Sequence, residues 1–579
     1  MEGQETYLIV ALGAVLAVAA VAAIVMYGKL RRRRYLLRRI RRGYGKIPEQ
    51  EYEPGDFGRI SHFYRKTKGE AFCIDDITWN DLDMDSIFML LNQTVSSPGE
   101  DVLYAMLRKP LFTREEVEER AALIQFFETE KEKREKMQIL LGEVGKPWHQ
   151  SLADSVFSIE DAPKASLGIH VLMLGALLVS LAVMPFYLAE GIAGFVLLSI
   201  INMFVYLGDR DHKIIAAYMD SFGCLLHMLK AGQKLEKVSW KETEKQVAAV
   251  KEAGSRLSGL RRKASFLAGK NSGTGDALQG LMTYVYTMLH IDVFVYNSVL
   301  KEVRQKADWI IQMTAAMGEL DACIAVSSFR KLLPFYCEPR FRDWNGGQAE
   351  LQVENLYHPM IPNPVANSIH AVGGTLVTGS NASGKSTFLK NVAIGGILAQ
   401  TVCTCTSTSW QSPFLKVMTS MALRDDLAGG ESYFIVEIRS LKRILDESEK
   451  PEPLLCIIDE VLRGTNTVER IAASSRILAS LAKNNTLPFA ATHDIELSYM
   501  LEGIYQNYHF EEEIRDNQIV FNYLLQNGRA VTRNAIRLLS IMGYDKEIVE
   551  DAQKAAEEFE NTGVWGAVPT GKYPSSSPR

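Results

Sequence analysis

The chain sorts into three uncharged apolar runs and long stretches in which apolar residues recur at helical or strand spacing. Tyr7 to Gly28 is built of Val, Ala, Leu and Ile, long enough to cross a hydrocarbon core of about 30 Å. Ser166–Ala189 and Gly191–Gly208 form a second apolar block broken only by Glu190. Each half has the length of a spanning helix, so the pattern predicts three transmembrane helices, the last two closing a hairpin at Glu190-Gly191. A buried soluble helical pair is the competing explanation; two consecutive spans almost free of charge disfavour it. No Asp, Glu, Lys or Arg pair lies inside the spans, so they read as anchors and not as an ion pathway.

Between and after these runs the period is helical. Thr113 followed by Glu115 and Glu116 marks a capped helix start. From His212 to about Leu333, Ile214, Ile215, Met219, Phe222, Leu225, Leu226 and Leu229, and then Tyr284, Met288, Ile291, Phe294, Val295 and Val299, form apolar stripes that suit the core of a helical bundle. Gly269 to Asp276 is a turn, and the Gly/Pro/Ser-rich stretch from Gly563 to Arg579 is expected to be disordered. These shifts divide the chain into an anchor (1–30), a basic juxtamembrane segment with the first part of a helical core (31–165), an apolar hairpin (166–208), a helical lever (209–345), an α/β domain (346–560) and a tail (561–579).

Charge orients the anchors. Glu2 and Glu5 precede the first run, whereas Arg31 to Arg34, Arg38, Arg39, Arg41, Arg42 and Lys46 follow it. A cleaved signal peptide has the opposite order, and the positive-inside rule puts the N-terminus outside and the remainder in the cytoplasm. The expected location is the cell membrane, multi-pass. The same arginines suit anionic lipid headgroups at roughly 1 kcal/mol each, with a DNA-binding arm as the alternative. The whole chain carries a formal net charge of only −5, so any nucleic-acid contact would have to be local. Its seven cysteines fit reduced thiols, and Cys403-Thr-Cys405 reads as buried small side chains rather than a metal site.

The densest chemical signal begins at Gly374. A β-prone run, Thr375–Thr378, leads into Gly379-Ser380-Asn381-Ala382-Ser383-Gly384-Lys385-Ser386-Thr387, followed by a helical pattern through Phe388, Leu389, Val392 and Ile394. Glycines let backbone N–H groups wrap phosphates, and a helix N-terminus adds its positive end. Lys385 supplies a cation to the β- and γ-phosphates, and the Ser386 hydroxyl is a Mg²⁺ ligand. Downstream, the apolar run Leu454–Ile458 suits a buried parallel strand ending in Asp459-Glu460. Asp459 is expected to hold Mg²⁺ through water and Glu460 to polarise the attacking water. His493 ends another apolar stretch and is expected near the γ-phosphate.

These motifs resemble the MutS family. The loop Thr378–Thr387, the segment Asp425-Asp-Leu-Ala-Gly-Gly-Glu-Ser432-Tyr-Phe-Ile-Val-Glu437, the run Asp459-Glu-Val-Leu-Arg463-Gly-Thr465-Asn-Thr467 and Ala491-Thr-His493 are each similar to the family's corresponding stretch. Asp81–Leu111 and Met317–Ala322 resemble, more weakly, the start and the closing helix of the MutS core. The resemblance implies an ABC-type MutS ATPase domain, an α/β P-loop NTPase fold, preceded by an all-α core and lever. It implies ATP and Mg²⁺ as cofactors, Glu460, His493 and Asn381 as catalytic residues, and Ile361 packing on the adenine. It further implies that Ser432, with Gly430, reaches the partner's γ-phosphate in a homodimer, with Arg463 and Thr465 in the loop joining the two sites. DNA is the partner it suggests, mismatched or branched DNA included. Departures are also expected: no N-terminal mismatch-reading domain, a clamp reduced to the turn near Gly269, and no C-terminal nuclease module. Alternatives are a membrane-tethered ATPase scaffold acting on a non-DNA partner, and a transporter-type ATPase, which the Gly429-Gly-Glu-Ser432 signature disfavours.

Overall fold

A computed structural model of the chain describes residues 23, 26–28, 30–146, 162–208, 210–268, 285, 288–380, 383–421, 433–463, 465–515, 518–530 and 535–568. Residues 1–338 with 397–405 group as one unit, and residues 339–396 with 406–579 as another.

The first unit is helical. Its first half carries α1 (residues 30–43), α2 (Asp56–Thr67), α3 (Asp76–Asp81), α4 (Met84–Leu91), α5 (Ser97–Arg108), α6 (Arg114–Thr129) and α7 (Lys131–Leu141). Its second half carries α8 (Gly168–Val183), α9 (Leu188–Gly208), α10 (Arg210–Leu235), α11 (Glu244–Arg256), α12 (Ser258–Ala268), α13 (Ile291–Gln305) and α14 (Ala307–Leu332). As expected, Thr113 caps α6 by accepting the N–H of Glu116.

Helix α14 is as apolar as a membrane span, yet most of it lies buried: it is the core helix against which α5, α6 and α11 pack. Two features bring α5 close to it. A Cβ on Gly318 would stand 2.4 Å from Pro98 O, so only glycine permits this approach. Asp321, fully buried, accepts the N–H of Ser96 at 2.8 Å, its hydroxyl at 2.5 Å and the N–H of Val95 at 3.1 Å, fixing the start of α5. Burial pushes the Asp321 carboxyl up to about 6 despite these donors.

Helices α8 and α9 pack on each other and leave their outer faces apolar: Leu172, Leu197 and Phe204 are each more than half exposed, as is Phe186 in the connection between them. Inside, His170 and His290 meet at 2.7 Å between their Nδ1 atoms, and Asn202 donates to Met288 O. The turn between the two helices falls at residues 184–187, not at Glu190-Gly191, which lie within the first turn of α9. Gly191 still matters, because a Cβ there would stand 2.8 Å from Met184 Cα. Among the described residues only α9 and the buried α14 reach spanning length with sufficient hydropathy; α8 is shorter. Of the first apolar run only residues 23 and 26–28 are described, helical and exposed. The expected turn at Gly269–Asp276 lies outside the described residues.

The second unit holds two sheets. The smaller, of order β1-β5-β2-β3, comprises β1 (Arg340–Phe341), β2 (Glu350–Leu356), β3 (Asn367–Val372) and β5 (Ser409–Ser412). The larger, of order β10-β9-β4-β8-β7-β6, comprises β4 (Gly374–Thr378), β6 (Lys416–Ser420), β7 (Leu454–Asp459), β8 (Thr486–Ala491), β9 (Tyr505–Arg515) and β10 (Gln518–Asn527). Every pairing in it is parallel except β9 with β10. Strands β4, β7 and β8 are buried along their whole length, which is why they read as unbroken apolar runs. The helices of this unit are α15 (Lys385–Val402), α16 (Tyr433–Ser448), α17 (Thr467–Leu481), α18 (Ile495–Met500), α19 (Ala535–Ile541) and α20 (Lys546–Thr562). The expected disorder from Gly563 onward is corrected at its start: Gly563 (φ 71°) caps α20, and Trp565 stacks on Phe559 at 4.2 Å. Residues 569–579 lie outside the described residues.

Candidate functional site

Parallel strands deliver their C-terminal ends to one edge of the sheet, where helix N-termini also gather. Three neighbouring strands do so here. β4 runs into the glycine loop and α15, β8 runs into His493, and β7, next to β8, ends in Asp459. Residues far apart in the chain therefore share one rim.

The loop needs its glycines. Gly379 has φ 140°, and a Cβ there would lie 2.7 Å from Phe510 O; Gly384 has φ 107°, with Tyr523 as its neighbour. Lys385 is buried and donates to Gly379 O and Ser380 O, both at 2.7 Å. Burial lowers its pKa to about 8, although Asp459, Glu460 and Glu512 all pull it upward. Its ammonium thus sits among carboxylates, on carbonyls of its own loop. Ser383 donates to Ser380 O, while Ser386 and Thr387 are exposed at the first turn of α15.

At the end of β7 the two acids differ. Asp459 is 6% exposed, and its Oδ1 is buried with no partner among the described residues. A buried, unsatisfied carboxylate oxygen beside a phosphate loop fits a water-held divalent cation, and the exposed Ser386 hydroxyl fits a direct ligand. Glu460 binds His493 Nε2 at 2.9 Å through one oxygen and the Arg463 guanidinium through the other. Burial pushes its carboxyl up, but the His493 hydrogen bond and Arg463 outweigh that and hold it below the usual range. His493 is positioned from behind: Thr492 N bonds Val377 O at 3.1 Å, and Asp494 is gripped by Arg470 through two hydrogen bonds of 2.9 and 2.6 Å.

The structure thus brings Gly379, Ser380, Ser383, Gly384, Lys385, Asp459, Glu460, Arg463 and His493 to one rim. Thr465 lies beyond it, with its hydroxyl on Glu469. Asn381, Ala382, Gly430 and Ser432 lie outside the described residues. Ile361 stands exposed in the connection between β2 and β3. That connection reaches the loop indirectly: Asn367 exchanges hydrogen bonds with Tyr523 O and Leu525 N of β10, and Tyr523 borders Gly384. Two residues in contact with the rim were not singled out from the sequence. Glu512 on β9 accepts from the Ser380 hydroxyl, and Glu437 on α16 holds the turn after Glu460. Glu437 stood in the quoted signature without a role; nothing in the alternation of β9 marks Glu512. Among the described residues no group of three or more His, Cys, Asp or Glu side chains is arranged to hold a metal, and Cys403 and Cys405 are buried as small side chains.

A glycine loop lies between a parallel strand and a helix, with an acid pair at the end of a strand one position removed, an arrangement whose chemistry suits phosphate. Residues 375–560 match the family described as MutS domain V, so this part of the chain is similar to MutS proteins. Relatives include the DNA mismatch repair protein MutS of Thermus thermophilus, 28% identical over 267 residues, which is 45% of this chain and 31% of that protein. The MutS of Thermus aquaticus matches to the same extent, and that of Petrotoga mobilis is 26% identical over 292 residues, 47% of this chain and 34% of the relative. The chain therefore spans about a third of the length of these relatives.

Proposed function

We propose that this chain is a membrane-anchored MutS-type ATPase that closes as a homodimer on ATP and couples that closure to DNA. The observation that carries the ATPase reading is the meeting of Lys385, Asp459, Glu460 and His493 around one glycine loop. ATP enters by displacing Gly379 O and Ser380 O from Lys385, whose ammonium then binds β- and γ-phosphate oxygens. Ser386 and Asp459 would hold Mg²⁺, which when bound would neutralise phosphate charge. Glu460, ionised and oriented by His493, accepts a hydrogen bond from the attacking water and aims it at the γ-phosphorus. The remaining phosphate contact comes from Ser432 of the second copy, so each site works only in the dimer.

The outward apolar faces of α8 and α9 support anchoring. So does α1, which follows the first apolar run and displays Arg31–Arg34, Arg38, Arg39 and Arg42 to solvent. It is no loose arm. Arg41 forms a bidentate pair with Glu135, the Tyr44 ring lies under Arg134 at 3.6 Å, and Gly45 N donates to Ser328. We read the location as the cell membrane, N-terminus outside and the α/β domain in the cytoplasm. DNA as partner rests on the family alone, and a non-DNA polymer or membrane partner is the second possibility.

The test is turnover and binding by purified full-length protein. Lys385→Ala should lose ATP retention, and Glu460→Gln should bind ATP but stall as a dimer with turnover down at least ~100-fold. Wild-type rates in Glu460→Gln would remove it from catalysis. DNA stimulation of turnover, with affinity falling steeply as salt rises, would support DNA as partner. Indifference to DNA would leave the scaffold reading standing.

A further inference from the structure

In the turn after Asp459, two non-glycine residues take the left-handed backbone conformation: Glu460 and Leu462, both at φ 59°. Their Cβ atoms make this unfavourable, so the surroundings must hold it. They do so from both flanking helices. Ser474 of α17 donates its hydroxyl to Val461 O. From α16, the Glu437 carboxylate, only 4% exposed, accepts the N–H of Leu462 at 2.5 Å through one oxygen, while its Oε2 is buried without a partner among the described residues. Burial raises the cost of ionising Glu437, yet its carboxylate faces the Leu462 N–H, a backbone donor that would otherwise be orphaned in the core. The Arg463 guanidinium, at the end of the same turn, pairs with Glu460.

We infer that Glu437 is a positioning residue for ATP hydrolysis: it fixes the turn 460–463 so that Glu460 keeps the orientation in which it meets His493 and Arg463. It does this without touching the nucleotide. The inference rests on the ATPase reading above.

The experiment compares wild-type, Glu437→Leu and Glu437→Gln full-length protein, measuring kcat and KM for ATP and the Kd of a fluorescent ATP analogue. Leucine keeps the volume and removes both acceptors, so kcat should fall about 30-fold or more while KM and Kd stay within about threefold. Glutamine retains an acceptor oxygen and should recover most of that loss. If Glu437→Leu does not fold, Glu437→Asp, one methylene short of the Leu462 N–H, takes its place with the same expectation. Two results would overturn the inference: near-wild-type kcat in the leucine variant, or parallel loss of kcat and nucleotide binding that glutamine does not rescue. A wild-type protein unable to hydrolyse ATP would instead defeat the ATPase reading itself, so the two failures are distinguishable.

Discussion

Lys385 carries its charge where the fold penalises it. Its pKa is lowered to about 8 from an ordinary 10.5, so above pH 8 the nucleotide-free site holds it increasingly neutral. Phosphate favours the charged form, and binding at higher pH must take up a proton. Nucleotide affinity should therefore be flat below about pH 7.5 and fall above 8, approaching tenfold per pH unit. Fluorescent-nucleotide titrations from pH 6.5 to 9.5 would show this, and an unchanged Kd at pH 9.5 would contradict it. Asp321 shows the opposite sign. Its folded pKa of about 6 lies above the ordinary carboxylate value of 3.8, so the folded state holds the extra proton between them. Its contribution to stability is largest at low pH and declines as pH rises from about 4 to about 6. Asp321→Ala should still destabilise, by about 3 kcal/mol, because the N–H groups of Val95 and Ser96 lose their buried acceptor. Thermal melts at pH 5 and 7.5 would test both statements.

At the scale of elements, α15 joins two tasks. It begins at the phosphate loop, and its last turn, within Ile397–Cys405, belongs to the helical unit. There its terminal carbonyls are capped by cations: Arg120 donates to Thr401 O and Arg330 to Cys403 O, both at 2.7 Å. Helix α14, which supplies Arg330, depends in turn on its close crossing with α5. Gly318→Val would place side-chain atoms against Pro98 O and Val102, with no space to shift into. The expected cost is about 3 kcal/mol or more, read as a lowered Tm; a melting point within a degree of wild type would refute the tight crossing.

For the whole molecule, the proposed function requires sites that are complete only in pairs and a chain tethered to lipid. ATP added to the Glu460→Gln protein should shift it from monomer to dimer in sedimentation, while Lys385→Ala should remain monomeric. Persistence of monomer with ATP bound would break the composite-site proposal. The outward apolar surface of α8 and α9 predicts that the protein stays with membranes through an alkaline carbonate wash. Release into the supernatant would turn that surface into a protein interface.

Much of the local chemistry was legible in the chain. The strand–glycine loop–helix order, Asp459-Glu460 after an apolar run and the Thr113 cap are all set by neighbours a few residues apart. Periodicity and spacing record such short-range rules directly. What the tertiary structure alone decided is which distant groups meet. Hydropathy makes Ala307–Leu332 a possible span, and only packing shows it to be a core helix. Glu512 reaches Ser380 because β9 pairs with β4, and Glu437 reaches Leu462 because α16 packs beside the end of β7. The hairpin turn falls at residues 184–187, where the Met184 backbone lies close against Gly191 of α9, a contact that spacing along the chain does not show. Composition and periodicity carry no record of long-range contacts, because a carboxylate held by distant donors looks, along the chain, like any other.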